Sequence, residues 1–230
     1  MKASSLAQFD GQLLDGLEFC SKVYALFEQI RSEHDGPSRL RRRPTRVEKK
    51  LLEELLPICK YVQASYRPGR YMSVRWVDGS QQYDAELLQN GAYVAQSYYP
   101  EAGFLEVTCT MHPKEYLLRE LLDKKGGAFG LEGMRRLKDG DIESVPVLHR
   151  NREFIESYAT LVISQIAKKA AIHYPENTTL VVQCTLNRLY MPDEWGELMA
   201  RVRAALPQSA FREIYVYDTV CQYSQVLYPQ

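Results

Sequence analysis

The stretch that decides the fold is RYMSVRWVDG, residues 70–79, with QQYDAEL at 81–87 and FLEVTCTM at 104–111. From Met72 to Trp76 apolar and polar residues alternate, and this period of two is typical of a half-buried strand. Asp78-Gly79 is a strong signal for a hairpin turn. The pattern predicts two strands joined by a hairpin, and a third strand after a polar loop around residues 90–91.

Two acidic residues fall on the same face of these strands. Because side chains alternate along a strand, Asp84 and Glu86 share one face of the second strand, and one pairing register puts Asp84 beside Glu106. Adjacent carboxylates repel each other. One interpretation is a site for magnesium, which takes oxygen ligands, commonly one or two carboxylates with water. The other is a solvated sheet face, where Glu106 meets water or an arginine such as Arg75.

Helical patterns surround the strands. Apolar spacing predicts helices over residues 13–31, 45–62, 114–124, 153–174 and 192–206, with further strands over 179–184 and 211–217. Pro57 is expected to kink or end the second helix. Asp139-Gly140 marks a second, smaller hairpin within an ambiguous segment. We therefore predict an α/β protein, with an N-terminal helical extension over residues 1–38 and an α/β domain over residues 39–230.

Composition excludes several classes of protein. The 230 residues carry a net charge of zero, which rules out a uniformly basic nucleic-acid-binding surface. The five cysteines, Cys221 among them, are widely spaced, which argues against a disulfide scaffold or a zinc ribbon. The N-terminal residues lack the apolar stretch of a signal peptide, and no run approaches the ~18 apolar residues that span a bilayer. We expect a cytoplasmic protein with no membrane partner.

Asp84 on the hairpin and Glu106-Val107-Thr108 on the next strand resemble the motif of the PD-(D/E)XK nucleases, which share the restriction-endonuclease-like fold. The resemblance covers about residues 45–217, although Tyr83 stands where the family has proline. It implies a mixed central sheet flanked by helices, and magnesium or manganese held by Asp84 and Glu106. It also implies hydrolysis of phosphodiester bonds in DNA or RNA, in a defence or restriction context.

The same resemblance implies a further acid on the helix that precedes the hairpin. Three glutamates in that segment are candidates for this additional metal ligand, Glu48, Glu53 and Glu54. We favour Glu48.

The sequence departs from the family pattern at Thr108, which occupies the place of the usual lysine. That lysine positions or polarises the attacking water in the family, so an active enzyme must supply the cation from elsewhere. Lys169 is the best replacement, because it lies on the flank of the apolar stripe of its helix, although lysines there commonly extend to solvent. Lys114, just beyond the third strand, is the second. The alternative is a catalytically inactive protein that uses the fold to bind a protein partner, to assemble or to form a homodimer.

A basic cluster and many tyrosines have two interpretations each. Arg41, Arg42 and Arg43 belong to a segment that either contacts nucleic-acid phosphates or forms a solvated linker and helix start. The sixteen tyrosines include Tyr98 and Tyr99. Such rings either stack on bases or, as is more common, cover a half-buried sheet surface.

Overall fold

The structure, a computed structural model, describes residues 6–148, 150–186, 190–220 and 223–229. The first five residues and Cys221, on which part of the sequence analysis rests, lie outside the described residues. Within the described ranges the chain forms an α/β structure around one large mixed sheet, with a separate two-stranded hairpin. The predicted α/β class, with helices flanking a mixed sheet, is confirmed.

The large sheet contains seven described strands in the spatial order β1-β2-β3-β4-β7-β8-β9. These strands are β1 Leu13–Asp15, β2 Tyr71–Trp76, β3 Ala85–Asn90, β4 Ala102–Thr110, β7 Thr178–Cys184, β8 Glu213–Asp218 and β9 Ser224–Leu227. The first four are antiparallel, β4, β7 and β8 run parallel, and β9 returns antiparallel. β5 Met134–Arg136 and β6 Ile142–Ser144 form the predicted small hairpin, whose turn places Gly140 at a positive φ of 88°.

Helices cover both faces of this sheet. They are α1 Gly16–Arg31, α2 Gly36–Arg42, α3 Arg46–Lys50, α4 Leu56–Ser65, α5 Ala92–Ala95, α6 Glu115–Lys125, α7 Asn151–Ala170 and α8 Pro192–Ala204. Helices α1 and α4 pack on the face that carries Leu105, and α7 and α8 pack on the opposite face, which carries Leu180. No helix among the described residues combines the length and the apolar composition needed to cross a bilayer.

The N-terminal segment is part of the main core. Residues of β1 pair with β2, with Leu14 opposite Val74, and Phe19 of α1 is buried in the same cluster as Val74 and Leu105. The boundary predicted at residue 38 therefore does not separate two cores. β1 falls within the helix predicted over residues 13–31, because a three-residue edge strand is too short to show a period.

The helix that precedes β2 contains a π-helical turn. Leu51–Leu55 links α3 to α4, and the Leu56 N–H bonds to the Leu51 carbonyl five residues earlier. Pro57, which lacks an N–H, follows immediately, and the wider turn lets the helical segment continue through the proline instead of ending there. Such turns inside α-helices are frequent at functional sites, and this one carries Glu54.

Candidate active site

The pairing of β3 with β4 places Asp84, the residue before β3, level with Glu106. Ala85 pairs with Leu105, and the Asp84 N–H bonds to the Leu105 carbonyl at 2.8 Å. It is one of the registers that the alternation of side chains allows. The Val107 N–H donates to Asp84 Oδ2 at 2.8 Å, so the backbone of β4 fixes the orientation of this carboxylate.

The surroundings make both carboxyl groups hard to ionise. Burial, together with the charges of Glu54 and Glu106, raises the pKa of Asp84 to about 7. Burial also raises the pKa of Glu106, although the Lys169 ammonium acts in the opposite direction. Glu106 is only 8% exposed, so solvent does little to screen these charges. A cation at this position is favoured, because it offsets the repulsion among the acids.

Lys169, the lysine that helix geometry favoured, reaches this pair. It lies near the C-terminal end of α7, and its ammonium donates to Glu106 Oε1. Its neighbour Lys168 is exposed. The ammonium contacts the face of β4 that carries Glu106, which is also the face that carries Thr108.

Tyr174 lies beside the acidic pair. Its side chain is buried, and the charges of Glu106 and Asp84 act on its hydroxyl. Burial and these charges raise the pKa of Tyr174, so the phenol stays protonated. One tyrosine among sixteen carries no distinguishing signal, so the sequence alone does not identify Tyr174.

Glu54, not Glu48, is the helix acid next to the pair. The charge of Glu54 raises the pKa of both Asp84 and Glu106. Trp76 Nε1 donates to Glu54 Oε2 at 3.1 Å, and Lys50 Nζ donates to Glu54 Oε1 at 2.6 Å. The π-helical turn directs Glu54 toward the end of β2, where Trp76 lies.

Glu48 caps the N-terminus of α3 instead. It is fully buried, it accepts from Arg39 Nε at 2.8 Å, and it closes a capping box with Thr45 at the start of α3. A carboxylate engaged in this way stabilises the helix N-terminus and a partly buried arginine. We therefore replace Glu48 by Glu54 in the candidate site.

Basic side chains lie beside Glu54. A cavity of about 400 Å³ is lined by Arg46, Lys49 and Lys50 together with Glu53 and Glu54. Arg46 pairs with Asp78 at 2.5 Å and Lys50 pairs with Glu54 at 2.6 Å, which reduces the positive charge that this cavity presents to a phosphate.

The remaining predicted residues lie elsewhere. Lys114 lies beyond the carboxyl end of β4, and its ammonium donates to the Glu132 carbonyl at 3.0 Å. Arg41 and Arg42 both pair with Asp123, at 3.6 and 3.4 Å. Arg43 pairs with Glu53 at 2.7 Å. All three arginines therefore have a carboxylate partner, which reduces the charge that they present to a phosphate.

The donor set fits a hard divalent cation only in part. Within residues 6–148, 150–186, 190–220 and 223–229, no group of three or more His, Cys, Asp and Glu side chains is arranged closely enough to hold a metal ion. Asp84 and Glu106 supply two carboxylates, and magnesium commonly takes one or two with water and phosphate completing its shell. The raised pKa of Asp84 is the observation that favours a cation there.

Comparison with known proteins found no matching family model, no matching curated protein and no matching solved structure.

Proposed function

We propose that this protein is a metal-dependent nuclease that hydrolyses phosphodiester bonds of DNA or RNA at the site formed by Asp84, Glu106 and Lys169. The observation that carries the proposal is the hydrogen bond from Lys169 on α7 to Glu106 on β4. It supports the view that a helix supplies the cation that Thr108 does not. The sheet topology also agrees with the fold that the resemblance implies. Strands β2, β3 and β4 are adjacent, and β4 is followed by a crossover through α7 to the parallel strand β7.

Each side chain has a role in this proposal. Asp84 and Glu106 would hold magnesium or manganese, and such an ion lowers the pKa of a bound water and polarises a phosphoryl oxygen. The Lys169 ammonium stabilises negative charge that develops on the transferring phosphoryl group. The protonated Tyr174 hydroxyl lies beside Glu106 and offers a donor next to the acidic pair.

The decisive experiment is a cleavage assay with purified protein. Single- and double-stranded DNA and RNA are incubated with magnesium, with manganese or with EDTA. We expect products from at least one substrate with metal, none with EDTA, and none from Asp84→Asn, which keeps the acceptor for the Val107 N–H but removes the charge. If none of the four substrates is cut with either metal, the nuclease proposal fails.

A second candidate function is a non-catalytic module that binds a protein partner or assembles with a second copy. It is favoured by the ion pair of Glu106, because a buried carboxylate paired with Lys169 also has a structural role. In that case the protein cuts no nucleic acid. Analytical ultracentrifugation then measures its assembly with a second copy, and a binding assay measures its affinity for a protein partner.

A further inference from the structure

A second cluster of aromatic and basic side chains lies at the edge of the sheet where β7 and β8 begin. It surrounds a cavity of about 390 Å³, which lies within the range of ~300–1,000 Å³ of small-ligand sites. Its lining consists of Arg67, Tyr93, Tyr98, Tyr99, Arg212, Glu213 and Tyr228. These residues come from four separate segments of the chain, and we call the cluster the tyrosine-arginine pocket.

Three rings of this pocket are open to solvent. Tyr98 is 63% exposed, Tyr228 is 70% exposed and Tyr93 is 40% exposed. The rings of Tyr93 and Tyr98 meet edge to face, with centroids 6.2 Å apart. A core-packing role does not account for tyrosines with this much accessible surface. Exposed rings at a cavity offer faces on which a planar group can stack.

Two exposed arginines frame the rings. Arg67 Nη2 donates to the Tyr99 hydroxyl at 2.6 Å, and Arg212 Nη2 donates to the Tyr98 carbonyl at 2.7 Å. Both guanidinium groups also lie about 5.8 to 5.9 Å from the centre of the Tyr99 ring. No carboxylate of the described residues pairs with either of them, whereas Arg41 and Arg42 share Asp123. Their charge is therefore available to an anionic ligand.

A buried arginine supports the pocket from below. Arg70 is 4% exposed, and its guanidinium carbon lies 3.7 Å from the centre of the Tyr99 ring. Gln89 and Tyr61 each accept from Arg70 at 2.9 Å, and Tyr61 in turn donates to Glu213 at 2.8 Å. This network holds Tyr99 in place, and the buried carboxylate of Glu213 offsets the charge of Arg70, so the positive charge offered to a ligand is that of Arg67 and Arg212.

From this arrangement we infer that the tyrosine-arginine pocket binds single-stranded nucleic acid, with a base against the exposed tyrosines and the adjoining phosphates on Arg67 and Arg212. Bases stack on aromatic rings without regard to sequence, while arginines follow the backbone. A base within a duplex is paired and stacked between its neighbours and has no free face, so the pocket favours a single strand or a frayed end.

A packed aromatic pair connects the pocket with the candidate active site. Arg212 follows Phe211, and the Phe211 ring packs on Tyr174 with centroids 5.0 Å apart. Tyr174 in turn lies beside Glu106, whose charge acts on its hydroxyl. The inference deepens the proposed function by naming single-stranded nucleic acid as the substrate class. It rests on that function for cleavage, but its binding step is independent of cleavage.

The test measures binding without metal, so that no strand is cut. Fluorescence anisotropy in EDTA compares labelled single-stranded DNA and RNA 12-mers with a duplex of the same sequence. We expect the single strands to bind more tightly than the duplex. Tyr98→Ala removes a stacking ring and is expected to weaken single-strand binding at least about 5-fold, the lower end for one base stacked on an aromatic side chain.

The arginines are tested through salt dependence. Replacing both Arg67 and Arg212 by alanine is expected to lower the slope of log Kd against log salt by about 1.4, at roughly 0.7 for each phosphate contact to a single strand. Arg203→Ala and Tyr116→Ala are matched controls, because both residues are exposed and lie on α8 and α6, outside the pocket. We expect both to bind like wild type.

The outcomes separate this inference from the proposed function. The inference that the pocket binds single strands is overturned by any of three results. These are unchanged binding by Tyr98→Ala, an unchanged salt slope in the double arginine variant, and tighter binding of the duplex than of the single strands. If binding behaves as expected and no substrate is cut with metal, the pocket stands and the nuclease proposal fails. If cleavage occurs while the pocket variants bind and cut like wild type, the nuclease proposal stands and this inference fails.

Discussion

Lys169 on α7 donates a hydrogen bond to Glu106 on β4, so a helix brings an ammonium group to the strand face that has threonine at position 108. The contact joins residues that are far apart in sequence. It exists because α7 packs on the face of the sheet to which Glu106 belongs. The same contact serves either a catalytic site or a buried ion pair, and replacement of the lysine distinguishes these roles.

We expect Lys169→Met to lose about 100-fold or more of any metal-dependent cleavage, because a lost charge-stabilising donor commonly costs ~10²–10³ in kcat. Methionine keeps an unbranched apolar stem, so the packing of α7 is retained. Lys168→Met is the control, because Lys168 is adjacent but exposed. Circular dichroism verifies that both variants fold. If Lys169→Met cuts as well as wild type, Lys50, which contacts Glu54, becomes the next candidate ahead of Lys114.

The pKa of Asp84 predicts how stability changes with pH. Its value rises from an ordinary 3.8 to about 7 in the folded state, so the native protein binds the proton more tightly than the unfolded chain. The free energy of unfolding therefore decreases as pH rises from about 4 through 7, by no more than about 4 kcal/mol from this group.

Urea unfolding without divalent cations, at pH 5 and at pH 8, measures this effect. We expect Asp84→Asn to be more stable than wild type at pH 8 and to show a smaller loss of stability between the two pH values. Asp123→Asn is the control, since Asp123 lies in the ion pairs with Arg41 and Arg42. Equal pH dependence in wild type and Asp84→Asn would contradict the raised pKa.

Replacement of Glu48 is expected to lower stability, whereas replacement of Glu54 is expected to lower cleavage. Glu48→Gln removes the charge that Arg39 binds and weakens the helix cap, so we expect it to lower the free energy of unfolding by about 1–3 kcal/mol. Glu54→Gln keeps an acceptor for Trp76 and relieves repulsion on Asp84, so we expect little loss of stability but reduced cleavage. Urea unfolding and the cleavage assay are run on both variants. The assignment is contradicted if Glu54→Gln loses stability while Glu48→Gln loses cleavage and keeps its stability.

Short-range patterns predicted much of the fold. The tight turn expected at Asp78-Gly79 is a longer loop, because β2 ends at Trp76 and β3 begins only at Ala85. The alternation of side chains along the strands nevertheless allowed the register that places Asp84 beside Glu106. The position of Lys169 on its helix flank was sufficient to select it over Lys168. In both cases one element with a regular period carried the information.

The features that the sequence analysis missed depend on irregular or long-range structure. A π-helical turn changes the direction of the side chains that follow, so regular helical spacing does not indicate that Glu54 approaches Asp84. The tyrosine-arginine pocket combines Arg67, Tyr98, Arg212 and Tyr228, which no local motif connects. The three-residue strand β1 is recognisable only from its partner β2.

Divalent cations provide the last test of the acidic site. Magnesium or manganese that binds only the folded protein raises the melting temperature by mass action, and at ten times Kd the gain is about 1.4 kcal/mol. Because a carboxyl group must lose its proton to bind a cation, and Asp84 has a pKa of about 7, we expect the gain to be larger at pH 8 than at pH 6.

Thermal unfolding of wild type, Asp84→Asn and Asp123→Asn is measured at both pH values, with and without each metal. We expect Asp84→Asn to lose the metal-dependent shift and Asp123→Asn to retain it. The cation site at Asp84 is contradicted if metal raises the melting temperature of both variants as much as that of wild type, because the cation then binds away from Asp84. It is also contradicted if metal raises the melting temperature as much at pH 6 as at pH 8. The group that binds the cation would then be ionised already at the lower pH.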